Sequence, residues 1–179
     1  MAERSRFERE VLPHLDAAYN LARWLTRDPH DAEDVVQDAC ARALRYLDSL
    51  KRGSAKAWFL TIVRNAFYDW VAHNRPIGTT DLAEVEDVIA DTNAVDPLQA
   101  VLREADTRLI ADAIAALPLQ FREALILREL EELSYRKIAT IVGVPIGTVM
   151  SRLARARALL RRTPSLQTVE GAQPTRRHS

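Results

Sequence analysis

The sequence predicts an all-α protein with two small helical domains joined by a flexible acidic linker. Apolar residues recur at helical spacing through most of the 179-residue chain, and no stretch alternates as a half-buried strand does. Residues 76–99 break this pattern, because they carry six acidic side chains and no basic one. We therefore expect domains over residues 1–75 and 98–162, a linker over residues 76–97 and a flexible tail over residues 163–179.

The composition excludes several classes of protein. Hydrophobic residues make up 47% of the chain, which is too many for a disordered protein. The single cysteine, Cys40, excludes a disulfide framework and a zinc site built from thiolates. The longest uncharged stretch, residues 138–151, is too short to span a bilayer, and the charged N-terminus lacks the apolar part of a signal peptide. We expect a soluble cytoplasmic protein without membrane insertion.

The first domain is predicted to contain three helices, each of which buries one apolar stripe against the other two. The first helix ends before Asp28, the second near Gly53 and the third before Pro76. Their stripes comprise, in order, Val11, Leu12, Leu15, Tyr19, Ala22 and Leu25; Val35, Val36, Ala39, Cys40, Ala43, Leu44 and Leu47; and Trp58, Phe59, Ile62, Val63, Ala66, Phe67 and Trp70.

The second domain is predicted to end in a helix-turn-helix. Pro118 suits the first position of a helix, Ser134 is a suitable N-cap, and Gly143 suits the turn between the last two helices. The helices are expected over residues 98–116, from Pro118 to Leu130, over Tyr135–Val142 and over residues 146–162. The residues expected to face the core of the motif are Ile138, Ala139, Val142, Ile146, Val149, Leu153, Ala156 and Leu160.

The last helix carries the strongest functional signal. Residues 134–162 contain seven basic side chains and no acidic one. Hydroxyls followed by arginines on a helix face suit the major groove of DNA, where such groups bind base edges and phosphates. The alternative is a helical hairpin with a solvated basic face, but stabilisation of a helix C-terminus accounts only for the final two arginines. The residues predicted to bind DNA are Thr148, Ser151, Arg152, Arg155, Arg157, Arg161 and Arg162.

Two polar faces of the first domain are further candidates for binding. The third helix presents a mixture of hydrogen-bonding and aromatic side chains that can bind unpaired bases, although this face taken alone is a weak signal. The second helix presents polar residues mostly beyond its first turn, where the helix dipole no longer explains acids, so they could contact a basic partner. These faces comprise Thr61, Arg64, Asn65, Tyr68, Asp69, His73 and Arg75 on the third helix, and Asp31, Asp34, Gln37 and Asp38 on the second.

No pattern in the sequence points to catalysis or to a bound cofactor. The chain has no glycine-rich phosphate loop, no nucleophile elbow and no HExxH motif, and its four histidines are scattered. The acids of the second helix have no His or Cys at ligand spacing, which argues against a metal site. We expect that the protein is not an enzyme and holds no metal or cofactor.

Three groups of motifs follow one another along residues 7–162. They are Ala32-Glu33-Asp34-Val35-Val36-Gln37-Asp38; then Ala57-Trp58-Phe59-Leu60 with Ile62, Arg64-Asn65 and Asp69; then Leu117-Pro118, Arg122-Glu123-Ala124-Leu125, Leu127-Arg128-Glu129, Leu133-Ser134-Tyr135, Ile138-Ala139 and Pro145-Ile146-Gly147-Thr148-Val149-Met150-Ser151-Arg152-Leu153. In this order they resemble the extracytoplasmic-function (ECF) sigma factors of RNA polymerase, which belong to the sigma-70 family.

The resemblance implies a role for each group of motifs. The first would dock on the clamp coiled coil of core RNA polymerase, through Asp31, Asp34, Gln37 and Asp38. The second would melt DNA and read the promoter −10 element, with a flipped base held near Asn65. The third would read the −35 element. The resemblance also implies promoter DNA, both duplex and single-stranded, as the ligand, and the polymerase flap and an anti-sigma protein as further partners.

The chain departs from the usual pattern of that family at two places. Met150 stands where a basic residue is usual, and Ala154 stands where a larger side chain is usual. Ala72-His73-Asn74 occupies a segment in which arginines are common. Both departures imply fewer DNA contacts than in typical members, and they bear on the promoter sequence rather than on the role.

Two other functions fit parts of the sequence. The chain could be a dimeric helix-turn-helix regulator that binds duplex DNA without core polymerase, but such a regulator needs no polymerase-docking helix. It could also be a sigma mimic that sequesters an anti-sigma protein without binding DNA, but such a mimic has no need of Ser151, Arg152 and Arg155.

Overall fold

A computed structural model describes residues 2–74, 107–164 and 166 of the chain. The predicted linker, most of the predicted tail and Arg75 lie outside these residues. Across the described ranges the chain forms eight α-helices and no strand, which confirms the predicted all-α class. The helices are α1 (Ala2–Glu10), α2 (Leu15–Thr26), α3 (Pro29–Arg45), α4 (Ala55–Asn74), α5 (Thr107–Ala115), α6 (Leu119–Glu129), α7 (Tyr135–Val142) and α8 (Ile146–Arg161), with 3-10 helices at Leu12–His14 and Leu47–Ser49.

Helices α2, α3 and α4 pack on one another and enclose the core of the first domain. Leu21, Phe59 and Val63 are fully buried there. The apolar pattern does not predict α1, because this helix buries none of its own residues. Arg6 attaches α1 to the domain by donating a hydrogen bond to the backbone oxygen of Leu50, at 2.8 Å.

Three residues of the predicted apolar stripes face solvent instead of the core. Leu12 and Leu15 are 41% and 37% exposed, and Leu44 is 48% exposed. The prediction is wrong for the first two because the 3-10 helix Leu12–His14 interrupts the chain before α2 and changes which side of the chain faces inward. It is wrong for Leu44 because its neighbour Ala43 takes the inward position, and consecutive residues of a helix point in different directions.

The second domain is built around α6, which is buried on nearly every side from Phe121 to Leu127. Pro118 is the N-cap of α6 and Leu130 is its C-cap, so both lie just outside the helix that they were predicted to begin and end. Ile146 is also exposed, against prediction, because it is the first residue of α8 and precedes the inward stripe that starts at Val149.

The helix-turn-helix forms where the sequence predicts it, from α7, a short turn and α8. Ser134 caps α7 by accepting a hydrogen bond from the backbone N–H of Lys137 at 3.2 Å. Gly143 ends α7 in the left-handed region, with φ of 71°, and its N–H donates to the carbonyl of Ala139. A left-handed C-cap of this kind favours glycine, because a Cβ atom strains this conformation.

The two domains pack against each other, with α4 against α7 and α2 against α6. Arg122 of α6 is buried and donates to the carbonyl oxygens of Ala115 and Leu117 in its own domain. Its other terminal nitrogen lies 3.5 Å from the carbonyl of Leu25 in the first domain. Arg27 donates in the opposite direction, to Ala115 at 3.1 Å. Side chains of both domains therefore satisfy helix-terminal carbonyls across the contact.

The described helices offer neither a single membrane-spanning segment nor a cluster of metal ligands. No single helix among them is long and apolar enough to cross a membrane; α7 and α8 reach that length and composition only as a pair, which bends by 99° at its break. The same residues contain no group of three or more His, Cys, Asp or Glu side chains that could hold a metal ion.

The two glycines of the helix-turn-helix should respond oppositely to the same substitution. Gly143→Ala should destabilise the protein by about 1–2 kcal/mol, because alanine is strained in the left-handed region. Gly147→Ala should stabilise it by about 0.5 kcal/mol, because Gly147 is helical and a Cβ atom there meets nothing within 4 Å. Urea unfolding of the two variants measures both changes. Destabilisation by Gly147→Ala as large as that by Gly143→Ala would contradict this account of the turn.

Candidate nucleic-acid interface

The exposed face of α8 is centred on Met150 and Ala154. Val149, Leu153, Ala156 and Leu160 are buried, as predicted. Met150 is 51% exposed and Ala154 is exposed, whereas the predicted DNA-binding residues around them are half-buried. These half-buried residues are Thr148, Ser151, Arg152 and Arg155. The most accessible part of the helix is thus apolar, with the hydroxyls and arginines along its edges.

The arginines near the end of α8 fall into two groups. Arg157 donates to the carboxylate of Glu129 on α6 at 2.8 Å, and only 23% of its side chain is exposed. This ion pair ties α8 to α6 within the second domain. Arg161 and Arg162 are exposed, so they are better placed than Arg157 to contact phosphates.

The predicted base-binding face of α4 is divided between exposed and covered residues. Asn65 and His73 are exposed, while Thr61 is half-buried and donates to the carbonyl of Ala57 at 2.8 Å. Asp69 forms an ion pair with Arg42 of α3 at 2.5 Å. Part of this face is therefore open to a ligand, and part is already engaged by the first domain.

Arg64 and Tyr68, on the same face, contact the second domain. The Nε atom of Arg64 donates to Oε1 of Glu123 on α6 at 2.5 Å, and the Tyr68 hydroxyl lies 3.4 Å from Oε2 of the same carboxylate. The guanidinium of Arg64 also stacks over the Tyr68 ring, 4.5 Å from its centre. The three side chains form one cluster between the domains.

Burial controls the electrostatics of this cluster. The side chain of Glu123 is 1% exposed, and this burial raises the pKa of its carboxyl. The positive charge of Arg64 opposes that shift most strongly, and Arg152 of α8 opposes it further. The pKa of Tyr68 is raised to about 12, mainly by burial and next by the charge of Glu123. Its hydroxyl is therefore a hydrogen-bond donor at neutral pH.

A second ion pair joins the domains at the other end of the contact. Lys56 of α4 lies 3.0 Å from Oε2 of Glu131, whose side chain is 5% exposed, and it also donates to the Glu131 carbonyl at 3.0 Å. Lys56 and Arg64 are eight residues apart on one helix, which is just over two turns. The same side of α4 therefore receives two buried acids from the second domain.

The acidic face of α3 is accessible for docking. Asp34, Gln37 and Asp38 are exposed, and Asp31 is half-buried near the helix N-terminus. Asp38 pairs with Arg42 at 2.8 Å, and Arg42 in turn pairs with Asp69, which links the predicted docking face to the predicted base-binding face. The structure therefore brings the two candidate surfaces of the first domain together.

Sequence reasoning missed the residues that join the domains: Glu123, Glu131 and Lys56. A signal for Glu123 was present, because Ile126 and Leu127 lie on either side of it on the helix surface, so its neighbours on that face are apolar. A charged residue inside a buried helix needs a partner of opposite charge. The sequence does not say that this partner is Arg64, which lies 59 residues away.

These features define a class of DNA-binding protein with two helical domains, one of which presents a basic helix-turn-helix. Comparison with known proteins agrees with this class. Residues 11–77 match the family "Sigma-70 region 2", and residues 107–160 match the family "Sigma-70, region 4".

Two characterised relatives extend over most of the chain. It is 30% identical to the ECF RNA polymerase sigma factor SigW of Bacillus subtilis over 156 residues, which cover 82% of each protein. It is 36% identical to SigE of Mycolicibacterium smegmatis over 166 residues, which are 91% of this chain but 63% of that relative. The chain belongs to the ECF sigma factors of the sigma-70 family.

Solved structures agree with this assignment. The sigma factor RpoE from Bartonella quintana, determined in complex with the anti-sigma factor NepR, is 33% identical and superposes with a TM-score of 0.69. The match covers 92% of this chain and 98% of that one. CnrH, determined with the cytosolic domain of CnrY, has the same fold, with a TM-score of 0.61 at 23% identity.

Proposed function

We propose that this chain is an alternative sigma factor that binds core RNA polymerase, directs it to promoters and helps to melt the −10 region. The observation that carries the proposal is the joint occurrence, in family order, of an exposed acidic face on α3, a polar face on α4 and a basic helix-turn-helix. In this proposal the polymerase catalyses RNA synthesis, and the chain itself performs no chemistry. The chain would therefore work in the cytoplasm, where the polymerase and the genome lie.

The helix-turn-helix would read the −35 element. The half-buried Arg155 lies at the edge of the exposed face of α8 and can reach base edges, while Arg161 and Arg162 at the helix end can reach phosphates. Met150 and Ala154 at the centre of that face offer only apolar contact, which suits a thymine methyl group. This arrangement is consistent with the reduced number of polar DNA contacts implied by the sequence.

Helix α4 would act on the −10 element as single-stranded DNA. The exposed Asn65 carries both donors and an acceptor, so its side chain can bind the edge of a flipped base. Arg64, Tyr68 and His73 add a charge and rings that can bind phosphates and stack on bases. The assignment of these residues to the −10 element rests on the family resemblance.

Helix α3 would dock on the polymerase clamp, and the proposed partners include the polymerase flap and an anti-sigma protein. The relative RpoE was crystallised with an anti-sigma factor, which supports a partner of that class for this chain. The two rival functions differ in their need for polymerase. A dimeric regulator would bind duplex DNA equally well with and without core enzyme, and a sigma mimic would bind no promoter in either case.

Docking is tested by reversing one charge on α3. Asp34→Arg should weaken binding to purified core polymerase by at least about tenfold, because it places a cation against a basic partner. It should also abolish promoter opening by the assembled enzyme, measured as permanganate reactivity of unpaired thymines. Glu33→Arg is the matched control, since Glu33 is an exposed acid next in sequence that points to another side of the helix. Equal loss in both variants would mean that overall charge, rather than this face, governs docking.

Recognition of the −35 element is tested with two arginines of α8. Arg155→Ala should cost about 1–3 kcal/mol and relax the preference at one or two base pairs, because base contacts discriminate between sequences. Arg162→Ala should weaken binding to all sequences alike and lower the salt slope by about one unit, because a phosphate contact releases one counterion. Titrations of the polymerase complex against a promoter library at several salt concentrations measure both effects. The same loss of specificity in both variants would contradict these roles.

A further inference from the structure

The first helix of the helix-turn-helix carries basic side chains that the proposed function does not use. Arg136 and Lys137 lie in the first turn of α7, and both are exposed. The side of α7 that faces the domain core is buried at Ile138, Ile141 and Val142. Within the described part of the chain, neither cation pairs with a carboxylate. Both side chains are therefore accessible to an anionic ligand.

The stability of α7 does not account for these two cations. They occupy the second and third positions after the N-cap, Ser134. The helix dipole places partial positive charge at this end of a helix, so cations are disfavoured there. The first turn of α7 contains no acidic side chain that would offset them. A pair of charges that is unfavourable for the helix and has no local partner indicates a role in binding.

The exposed side of α7 leads into the proposed DNA-binding face of α8. Thr140, Gly143 and Pro145 are exposed in turn between the start of α7 and the exposed Met150 of α8. Residues 134–162 contain no acid, so a polyanion that approaches α8 meets no repulsion from this segment. The anionic ligand that these observations favour is the DNA that α8 is proposed to bind.

The angle between the two helices directs α7 towards the DNA backbone. The chain bends by 99° between α7 and α8, and in helix-turn-helix proteins the first helix crosses the backbone while the second lies in the major groove. The eight residues of α7 span about 12 Å, at about 1.5 Å per residue. The major groove is about 8.5 Å deep. The start of α7 therefore reaches the level of the phosphates when the turn lies in the groove.

The centre of the α8 face contributes no charge to DNA binding. Met150 and Ala154 are apolar, and Arg157 is committed to Glu129 of α6 at 2.8 Å. Contacts between cations and phosphates nevertheless supply much of the affinity of proteins for DNA. Helix α7 offers two cations that can supply this missing part.

We propose that Arg136 and Lys137 bind phosphates of the strand that borders the groove entered by α8, so that both helices of the motif hold the −35 duplex. This proposal rests on the proposed function, because it takes α8 to be the recognition helix. Phosphate contacts strengthen binding to every sequence and fix the orientation of α8 without selecting bases. Arginine binds a phosphate through two N–H groups, and lysine contributes a point charge.

The first test measures the salt dependence of promoter binding by the full chain in complex with core polymerase. Arg136→Gln and Lys137→Gln should each lower the slope of log affinity against log salt by about one unit, because each removes one phosphate contact. Each should also weaken binding roughly fivefold at about 0.15 M salt, equally for −35 elements of different sequence. Circular dichroism establishes that the variants retain their helices.

The matched control removes the same charge from another helix of the second domain. Arg108 is exposed on α5, outside the helix-turn-helix. Arg108→Gln should therefore leave the salt slope unchanged. A fall in the slope as large as that of Arg136→Gln would mean that net charge, rather than the surface of α7, governs binding, and it would overturn the proposal.

The second test locates the contact on the DNA. Promoter duplexes are prepared in which one phosphate at a time is replaced by a neutral methylphosphonate. The wild-type complex should lose affinity at one or two positions that border the −35 element. The double variant Arg136→Gln/Lys137→Gln should show no loss at those positions, because the charge that contacts them is already absent.

Three further results would overturn the proposal. The first is a wild-type salt slope in the double variant. The second is a double variant that remains as sensitive as wild type to every methylphosphonate. The third is weaker binding of the double variant to core polymerase together with a normal salt slope on the promoter, because the ligand of α7 would then be a protein. Failure of the proposed function is distinguishable, because the wild-type chain would then show no polymerase-dependent promoter opening.

Discussion

A carboxylate that is only 1% exposed requires compensating positive charge, and in this chain that charge comes from both domains. Glu123 receives it from Arg64 of the first domain and from Arg152 of its own. Removing Arg64 would leave this desolvated anion without its ion-pair partner. The placement of α6 against α2, of α7 against α4, and the partial covering of the α4 face are all consistent with this single buried charge.

Helix α4 takes part both in this contact and in the proposed function. Helix α4 carries the proposed −10 surface, and α8 carries the proposed −35 surface. Their apolar sides build the cores of the two domains, which leaves their polar sides for DNA or for each other.

Local structure was predictable from the sequence where caps and periodicity agreed. Ser134 caps the start of α7 and Gly143 caps its end, as expected, and the inward residues of α8 from Val149 onward are buried. The error at Leu12 arose where a 3-10 helix changed the direction of the side chains, and the error at Leu44 arose because Ala43 takes the inward position. Helical periodicity assigns a residue to a face of a helix, but it does not show where the helix is interrupted or which of two neighbouring residues points inward.

The candidate site was predictable in part. The sequence named candidate surfaces on α3, α4 and α8, and the structure places Met150 and Ala154 at the centre of the exposed α8 face, between the predicted DNA-binding residues. Contacts between domains were outside the reach of the sequence pattern, because they join residues far apart in the chain. The pairing of Arg64 with Glu123 follows only from tertiary packing.

The central claim, which rests on the proposed function, is that the two domains contact each other in the free chain and bind separate promoter elements in the complex. The most direct measurement is the distance between spin labels placed on exposed positions of α3 and α8, recorded by pulsed electron resonance for the free chain and for the chain bound to core polymerase and promoter DNA. The account predicts a short distance in the free chain and an increase of tens of ångströms in the complex. An unchanged distance, or an equally long distance in the free chain, would contradict it.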